Sequence, residues 1–337
     1  MDTYKIAHLT YDMRIGGTES VIKNLIETTS ESTRRHQIIC LQPQLGPFGE
    51  ELNKKGTEIH SLNWSNGFDI SLIQSLRRLI NLNSIDCLHC HQYTPWVYGS
   101  LAAAGTRTRV IFTEHGRFYP DSSNWKRKFI NPLLVLLTDK ITAISKATKA
   151  ALSKYEFIPG NKIDVIYNGL NELEVSEKKT TAIRENLEIP DDAFILGTIA
   201  RFDPIKNHSM MLEAFSLALQ NNPKLTLIMV GDGEERKNIE SKIDSLDIRD
   251  KVRLTGYQSD PSAYLSLFDI FLLSSLSEGT SMTLLESLSL GIPCIVTDAG
   301  GNPEIIQHGV CGLVTPNDDA LSFSKAIEKL SSSNLSV

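Results

Sequence analysis

Two glutamates late in the sequence have a spacing suited to binding hydroxyl groups. Glu278 stands beside Gly279 after a strand-like run, and Glu286 lies about one and a half turns into the helix that follows. An ionised carboxylate only accepts hydrogen bonds, so it can hold both hydroxyls of a ribose diol, and a carboxylate among apolar helix residues seldom lacks a partner. For the pair alone, two solvated glutamates are the alternative. Further donors at the helix mouth are the N–H groups of Thr280, Ser281 and Met282.

Basic and glycine-rich segments accompany this pair. Arg201 stands at the carboxyl end of a strand-like run and Lys206 at the start of the next helix, which suits both side chains to clamp a diphosphate. Near the start of the chain, Gly16 and Gly17 open the first helix, where a backbone can approach a phosphate closely. This turn is not the G-x-G-x-x-G of dinucleotide binders, and a plain tight turn is an equal alternative.

Alternating strand and helix patterns must position these residues. Short β-branched runs alternate with helical periodicity, as in Glu19–Thr29, which predicts parallel sheets covered on both faces. The strands predicted in the first half are Lys5–Thr10, Gln37–Leu41, Glu58–Leu62, Ile85–His91, Arg109–His115, Lys140–Ser145 and Asp164–Asn168. Those predicted in the second half are Phe194–Ala200, Leu225–Gly231, Val252–Gly256, Ile270–Ser274, Pro293–Thr297 and Gly312–Val314. The later helices include His208–Gln220, Ser281–Leu290 and Ala320–Leu330.

The alternation is interrupted once, in the polar stretch 171–192, which we interpret as a linker region with one short helix. The predicted fold class is therefore α/β, with two Rossmann-like doubly wound domains, residues 1–170 and 193–337, facing each other across a cleft. Ligands of such sheets bind beyond the carboxyl ends of the strands. A closable cleft suits a reaction that must exclude water, but fold alone does not settle function.

The composition is that of a soluble globular protein. Of the 337 residues, 41% are apolar and 22% charged, and no run reaches the roughly 18 apolar residues of a membrane-spanning helix. Because Met1–Lys5 leads directly into a strand-like segment, we expect no secretory signal and a cytoplasmic protein. Five scattered cysteines argue against a disulfide framework. The Cys87-x-x-Cys90 motif has no second ligand pair, so we expect no metal there.

Together and in this order, these motifs resemble the retaining glycosyltransferases of family 4, which have the GT-B fold. The resemblance covers nearly the whole chain. It rests on Gly16-Gly17, Val165–Gly169, Arg201 with Lys206, Glu278-x7-Glu286, and Gly291-Ile292-Pro293 through Gly300-Gly301-x-x-Glu304. It implies that Arg201 and Lys206 hold the diphosphate of a nucleotide-sugar donor in place of a metal. It also implies that Glu286 holds the ribose and Glu278 the transferred sugar, with no cofactor.

The resemblance adds a fourth catalytic candidate, His115, to Glu278, Arg201 and Lys206. A histidine at the matching place in the family lies near the reacting sugar, where it could orient a hydroxyl or assist proton transfer; a structural histidine is the alternative. Contacts to the base are expected near Gly256 and Tyr257. UDP is the default base only because it is frequent in the family. Sugar, linkage and oligomeric state are left open.

A narrower similarity involves Glu114–Arg117, Asn124–Lys128 and Asn131–Leu134, which look like the bacterial enzymes that build exopolysaccharides and lipopolysaccharide O-chains. Aromatic and basic residues interleave over Arg117–Phe129, which suits peripheral contact with the inner face of the plasma membrane; an ordinary solvated helix start is the alternative. Residues 1–170 carry a formal charge of +5 and the remainder −11, and chance explains this difference equally well. The acceptor is expected to be a glycan or a polyprenyl-diphosphate-linked glycan, and no nucleic-acid partner is expected. The interleaved residues are Arg117, Phe118, Tyr119, Trp125, Lys126, Arg127, Lys128 and Phe129.

One departure from the family concerns the last helix, which usually crosses back to the first domain. The sequence stops at Val337 soon after the helix predicted at Ala320–Leu330, so we expect the crossing helix to be missing and the coupling of the domains to be weaker. A catalytically silent sugar-nucleotide-binding protein is therefore an alternative function. A dinucleotide-dependent oxidoreductase shares the alternating pattern but lacks the glycine fingerprint and leaves the glutamate pair unexplained.

Overall fold

The computed structural model describes residues 3–29, 33–65, 67–116, 121–258 and 260–332. The chain divides into two units, Met1–Gly169 and Leu170–Val337. The stretch 171–192 lies within the second unit, where a helix at Glu177–Asn186 occupies its middle.

The first unit alternates strands and helices throughout. Its strands are β1 (Tyr4–Thr10), β2 (Arg34–Cys40), β3 (Glu58–Ser61), β4 (Cys87–His91), β5 (Arg109–Glu114), β6 (Lys140–Ala143) and β7 (Ile163–Val165). Its helices are α1 (Gly17–Thr29), α2 (Pro47–Lys54), α3 (Ile70–Leu82), α4 (Tyr93–Ala103), α5 (Arg127–Leu136) and α6 (Lys146–Tyr155). The seven strands form one parallel sheet in the order β3-β2-β1-β4-β5-β6-β7.

The second unit repeats the pattern after α7 (Glu177–Asn186). Its strands are β8 (Phe194–Ile199), β9 (Leu225–Val230), β10 (Val252–Gly256), β11 (Ile270–Leu273), β12 (Cys294–Thr297) and β13 (Gly312–Thr315). Its further helices are α8 (His208–Leu219), α9 (Arg236–Ser245), α10 (Ser262–Leu265), α11 (Met282–Ser289), α12 (Asn302–Ile305) and α13 (Ala320–Ser332). The sheet is parallel, in the order β10-β9-β8-β11-β12-β13.

All thirteen predicted strands are present, with ends that differ by a few residues. The prediction of Asp164–Asn168 was wrong at its end, because β7 stops at Val165. Its neighbour in the sheet, β6, ends at Ala143, whose carbonyl accepts the hydrogen bond from the N–H of Ile166. In the described part of the chain no strand partner continues beyond that point, and the side chain of Ile166 is exposed.

Each sheet has a switch point, where the connections that leave two neighbouring strands run in opposite directions along the sheet. In the first sheet this point lies between β1 and β4, and in the second between β8 and β11. Helices cover both faces of a doubly wound sheet, which is why β9 and β11 consist entirely of buried apolar or hydroxyl side chains. Loops that leave the carboxyl ends of the strands at a switch point diverge and leave room for a ligand.

Candidate active site

The switch point of the second sheet brings together two predicted site residues. Lys206 ends a short 3₁₀ turn, Pro204–Lys206, after β8, and Glu278 lies in the loop after β11. The Lys206 Nζ atom lies 2.5 Å from Oε1 of Glu278. The hydroxyl of Ser275 donates to the same carboxylate oxygen at 2.6 Å. Both charged side chains are largely buried, with 22% of Lys206 and 10% of Glu278 exposed.

Hydrogen bonds between the two loops fix this pair. The hydroxyl of Ser274, directly after β11, donates to the carbonyl of Lys206 at 2.7 Å. The N–H of Leu276 donates to the carbonyl of Ile205 at 2.8 Å. The 3₁₀ turn is thus attached to the β11 loop by its backbone, so the ammonium of Lys206 is held beside Glu278 with little freedom.

A glycine turn after β12 supports Glu278 from the other side. The N–H of Gly301 donates to the Glu278 carbonyl at 3.1 Å. Gly300 has a φ of +54°, and a Cβ atom there would lie 1.8 Å from the same carbonyl oxygen. The turn therefore requires glycine both for its left-handed backbone and for the close approach to Glu278.

Arg201 is held by a residue that the sequence analysis did not single out. Its Nη2 atom lies 2.6 Å from Oδ2 of Asp203, and its Nε–H donates to the same oxygen at 2.8 Å. The side chain of Arg201 is 73% exposed, whereas 10% of the Asp203 side chain is exposed. The carboxylate thus orients a guanidinium whose remaining N–H groups face solvent. The sequence signal was present, since an arginine and an aspartate two residues apart follow a buried strand.

The first turn of α11 offers backbone donors beside this pair. Ser281 caps the helix, because its hydroxyl accepts from the N–H of Leu284 at 3.3 Å, and Gly279, Thr280, Ser281 and Met282 are all buried. The first N–H groups of a helix have no intrahelical carbonyl. Glu286, one turn later, is partly buried, and burial raises the pKa of its carboxyl group. A hydroxyl donor bound to Glu286 would offset the lost hydration of the carboxylate.

The same edge of the sheet continues to β10. Gly256 has a φ of +71°, and its carbonyl accepts from the N–H of Gly231 at 3.0 Å. Tyr257 follows with 49% of its surface exposed. The glycine loop 231–233 after β9 was not among the predicted site residues, although glycines directly after a buried strand are a detectable signal. A Cβ atom at Gly231 would lie 1.9 Å from the carbonyl oxygen of Ala200, next to Arg201.

The remaining predicted residues lie at the switch point of the first sheet. Gly16 precedes α1 and Gly17 is its first residue. Thr18 accepts a hydrogen bond at 3.3 Å from the side chain of Gln92, which directly follows β4. Gln92 has a φ of +73°, an unfavourable value for a residue with a side chain. Its N–H donates to the carbonyl of Thr113 on β5, the strand that leads to His115.

His115 is the last of a row of hydrogen-bonded histidines, a feature the sequence analysis missed. Its Nε2 atom lies 2.9 Å from Nδ1 of His91, and the row continues through His8 and His36 on the neighbouring strands. Burial lowers the pKa of His115 to about 3, so its ring is neutral at pH 7. The spacing of His89 and His91, two residues apart on one strand, was the available signal, because it places both rings on one face.

The sheet also separates the two cysteines of the C-x-x-C motif. Cys87 and Cys90 are three positions apart on β4, so their side chains point to opposite faces. Burial raises the pKa of both thiols, that of Cys87 to about 11. Among the described residues, one group of side chains has the geometry of metal ligands, and it does not include these cysteines. It consists of His8, His89 and His91, whose ring nitrogens lie within 4.8 Å of one another.

The predicted membrane segment is described in part. Arg117, Phe118 and Tyr119 lie outside the described residues. From Trp125 onward, α5 and its flanks expose an unusual number of large apolar side chains, which we call the α5 surface. Its members are Trp125, Phe129, Ile130, Leu133, Leu136 and Leu137. The exposed fractions of the first four are 69%, 66%, 47% and 63%. In the described ranges, no helix combines the length and the hydropathy needed to span a bilayer.

Comparison with known proteins decides the family. The model of glycosyltransferase family 4 matches residues 15–172, and that of the group 1 glycosyl transferases matches residues 179–336. Between them they account for nearly the whole chain. The chain is a family 4 glycosyltransferase. Its two parallel-sheet units are those of the GT-B fold.

Relatives and solved structures agree with this assignment. This glycosyltransferase is 26% identical over 97% of its length to an Escherichia coli UDP-Gal:alpha-D-GlcNAc-diphosphoundecaprenol alpha-1,3-galactosyltransferase, of which the alignment covers 87%. It is 27% identical over 87% of its length to the E. coli O-antigen biosynthesis glycosyltransferase WclY, with 80% of that protein covered. A shorter match, 32% identical over 45% of this chain and 43% of the other protein, is to the lipopolysaccharide core biosynthesis glycosyltransferase LpsE of Rhizobium meliloti. The crystal structure of Anabaena HepE with UDP and glucose has the same fold, with a TM-score of 0.81 at 20% identity, covering 98% of this chain and 90% of that one.

Proposed function

We propose that the glycosyltransferase moves a sugar from a nucleotide-diphosphate donor to a hydroxyl of its acceptor with retention of anomeric configuration. The observation that carries this proposal is the Lys206–Glu278 pair at the switch point of the second sheet, with the two side chains 2.5 Å apart. Arg201 lies in the same β8 loop as Lys206. A cation for a phosphate and a carboxylate for sugar hydroxyls stand side by side there. That arrangement matches the junction between the diphosphate and the sugar of the donor.

In the proposed reaction the acceptor oxygen attacks the anomeric carbon on the face from which the diphosphate departs. The bond from the anomeric carbon to the phosphate oxygen breaks, its electron pair goes to the diphosphate, and the acceptor proton passes to the departing phosphate. Arg201, Lys206 and the N–H groups at the start of α11 stabilise the charge that develops there. We assign no metal to this step, because the two basic side chains supply positive charge at the same place.

Donor binding must rearrange the ion pair. Lys206 and Glu278 neutralise each other in the free chain and lose that contact when the phosphate takes the ammonium. The carboxylate of Glu278, still bonded to Ser275, then accepts from hydroxyls of the transferred sugar. Glu286 is assigned to the ribose diol, since burial raises the pKa of its carboxyl group and hydroxyl donors would stabilise its ionised form. Gly16, Gly17 and the Gly256–Tyr257 segment are assigned to backbone contacts with the donor.

UDP is the proposed nucleotide. The E. coli relative is named for UDP-galactose, and the HepE structure of the same fold contains UDP. A thermal-shift panel of UDP-, GDP-, ADP- and dTDP-sugars tests this, because a ligand that binds the folded state raises its stability. We expect the UDP series to raise the melting temperature, with or without EDTA. A shift that EDTA abolishes would contradict the metal-independent site.

The catalytic proposal is tested with Lys206→Ala. Removing one charged donor from a developing negative charge should lower turnover at least about 100-fold. Lys23→Ala is the matched control, because Lys23 forms a 2.7 Å ion pair with Glu51 in the first unit and is 21% exposed. Both variants should lose similar, small amounts of stability, and the control should keep its turnover. Equal turnover in the two variants would reject the role of Lys206.

We further propose a lipid-linked glycan acceptor and contact with an anionic membrane through the α5 surface. The E. coli relative that aligns with most of the chain is named for a diphosphoundecaprenol-linked acceptor. Lys126 and Lys128 are exposed at the start of α5, beside Trp125 and Phe129. Apolar side chains that can enter the interface, flanked by cations that attract acidic headgroups, suit a membrane surface.

Vesicle binding tests this contact. Leu136→Asp should lower partitioning onto phosphatidylglycerol vesicles at least about tenfold, because it replaces an apolar group that would be buried. Leu82→Asp is the control, since Leu82 is 72% exposed at the end of α3 and lies outside the α5 surface. Wild-type binding should weaken at high salt. Equal losses in the two variants would argue against the α5 surface.

A further inference from the structure

Five histidines share one face of the first sheet. His8 lies on β1, His36 on β2, and His89 and His91 on β4, while His115 directly follows β5. Four of them form a continuous row of hydrogen bonds across the sheet. Nδ1 of His36 lies 3.0 Å from Nε2 of His8, Nδ1 of His8 lies 3.1 Å from Nε2 of His91, and Nδ1 of His91 lies 2.9 Å from Nε2 of His115.

All four rings are neutral at physiological pH. Burial is the largest cause that lowers the pKa of each ring, and neighbouring histidines or Arg34 lower them further. A neutral imidazole has one N–H donor and one bare nitrogen acceptor. In an unbroken row, each ring must therefore donate in the same direction as the ring before it. A single fixed group at one end determines where every hydrogen lies.

Thr29 is that fixed group. Its hydroxyl donates to the carbonyl of Leu25, one turn earlier in α1, and a hydroxyl has one proton. The Thr29 oxygen lies 3.1 Å from Nε2 of His36 and so must accept from it. A hydrogen bond to the backbone of Thr29 also raises the pKa of His36, as an acceptor beside a ring N–H does. His36 therefore carries its hydrogen on Nε2.

The direction then propagates to His115. The bare Nδ1 of His36 accepts from Nε2–H of His8, whose Nδ1 accepts from Nε2–H of His91, whose Nδ1 accepts from Nε2–H of His115. The Nδ1 atom of His115 is thereby left bare. It is buried and has no hydrogen-bond partner among the described residues, so a hydroxyl from outside the chain would satisfy an acceptor that is otherwise costly.

We propose that His91, His8 and His36 are positioning residues that hold His115 in the Nε2–H tautomer, so that its Nδ1 accepts a hydrogen bond from a substrate hydroxyl. This inference rests on the proposed glycosyl transfer and on the expectation that His115 lies near the reacting sugar, and it decides between the two roles expected for that ring. The ring orients a hydroxyl and does not remove its proton, since a buried neutral row has no place to store a positive charge. His36 thus acts on His115 through three hydrogen bonds, and Thr29 through four.

A second hydrogen-bonded row gives His89 the same tautomer. The hydroxyl of Thr142 donates to the carbonyl of Phe112 at 3.3 Å, so it accepts from the hydroxyl of Thr113 at 2.7 Å. Thr113 in turn accepts from Nε2 of His89 at 2.7 Å. Both rows end on backbone carbonyls, which can only accept.

These assignments also bear on metal binding. A metal held by His8, His89 and His91 would need a ring nitrogen of His91, and both nitrogens of that ring already bond within the row, Nε2 to His8 and Nδ1 to His115. Ligation of either nitrogen would break the row that fixes the tautomer of His115. A metal at this place and the intact row therefore exclude each other.

Nitrogen NMR of the full ¹⁵N-labelled chain, without donor, measures the tautomers directly. At pH 7 we expect protonated Nε2 and bare Nδ1 for His8, His36, His91 and His115, unchanged by one equivalent of Zn²⁺. A hydrogen on Nδ1 of His115, before or after zinc, would overturn the proposal. This readout does not depend on catalysis, so it separates the tautomer from the proposed function.

His36→Phe tests the action at a distance. This substitution removes the ring that links Thr29 to the rest of the row, and it does not alter His115 itself. His115 should therefore show both tautomers. The kcat should fall about tenfold, which is equivalent to the loss of one neutral hydrogen bond. KM for the donor should change little. His60→Phe, on β3 and outside the row, is the control and should leave spectrum and kcat unchanged. Wild-type kcat in a His36→Phe chain with mixed tautomers would overturn the positioning role, whereas wild-type kcat in His115→Ala would instead show that His115 does not act in the proposed transfer.

Discussion

At the scale of single residues, the candidate site depends on a few contacts that are closer than the packing of the fold alone would require. Gly300 lets the β12 turn approach the carbonyl of Glu278 and so supports the residue that faces Lys206. The pair is 72 positions apart in the chain, and no local pattern links its members. The glycine is therefore as specific a requirement of the site as the charged side chains.

Substitution of Gly300 tests this requirement. Gly300→Ala should lower the free energy of unfolding by about 3 kcal/mol, from left-handed strain and a backbone clash together, and should weaken donor binding in a thermal-shift titration. Gly291→Ala is the control, because Gly291 has a φ of +73° but no atom within 4 Å of the place that a Cβ would occupy. It should cost roughly 1 kcal/mol and leave donor affinity intact. Equal effects on donor affinity would show that strain alone matters.

At the scale of elements, the sites lie where strands end and helices begin. The β8 and β11 loops are hydrogen-bonded to each other, and the β11 loop that carries Glu278 leads directly into α11. Position at the switch point explains why polar residues follow strands that are otherwise apolar. It also explains why Gln92, directly after β4, keeps an unfavourable backbone conformation.

A comparison of two helix caps distinguishes the contribution of a helix to stability from its role in the site. Ser281 caps α11 and Ser145 caps α6, where it accepts from the N–H of Thr148 at 3.0 Å. Alanine at either position should cost about 1 kcal/mol of stability. Only Ser281→Ala should also weaken donor binding, because the first turn of α11 faces the proposed diphosphate site. Unfolding by denaturant and donor titration of both variants measure the difference, and equal donor affinity in the two would contradict the role of α11.

At the scale of the whole molecule, buried neutral histidines make stability depend on pH. The pKa values of His89, His115 and His208 are lowered to about 4, 3 and 4, and those of His8, His36 and His91 are lowered too, chiefly by burial. The unfolded chain binds protons at these rings near pH 6.5, and the native chain does not. Stability is therefore fully present above pH 6.5 and is lost as the pH falls toward 4.

Denaturant unfolding at several pH values checks this expectation. The free energy of unfolding should fall steadily from pH 6.5 to pH 4.5, with a slope that corresponds to the uptake of several protons. His208→Leu should reduce the slope by about one proton, because it removes one such ring. A free energy that stays constant over this range would mean that the rings are protonated in the native chain.

The sequence by itself determined the elements and the family. Periodicity is local, so thirteen strands and the main helices could be located from residues a few positions apart. Arg201, Lys206, Glu278 and Glu286 could be named as site candidates because their types and order resemble those of the family. Strand ends such as that of β7 were misplaced, because a strand stops where its neighbour stops.

Only the tertiary structure decided which of these residues meet. No local sequence pattern specifies the order of strands in a sheet, and this order brings Lys206 to Glu278. It also aligns His36, His8, His91 and His115, which come from four separate segments of the chain. A hydrogen-bonded row exists only when all its members are in place, so the chemistry of His115 is a property of the sheet and not of the motif around it.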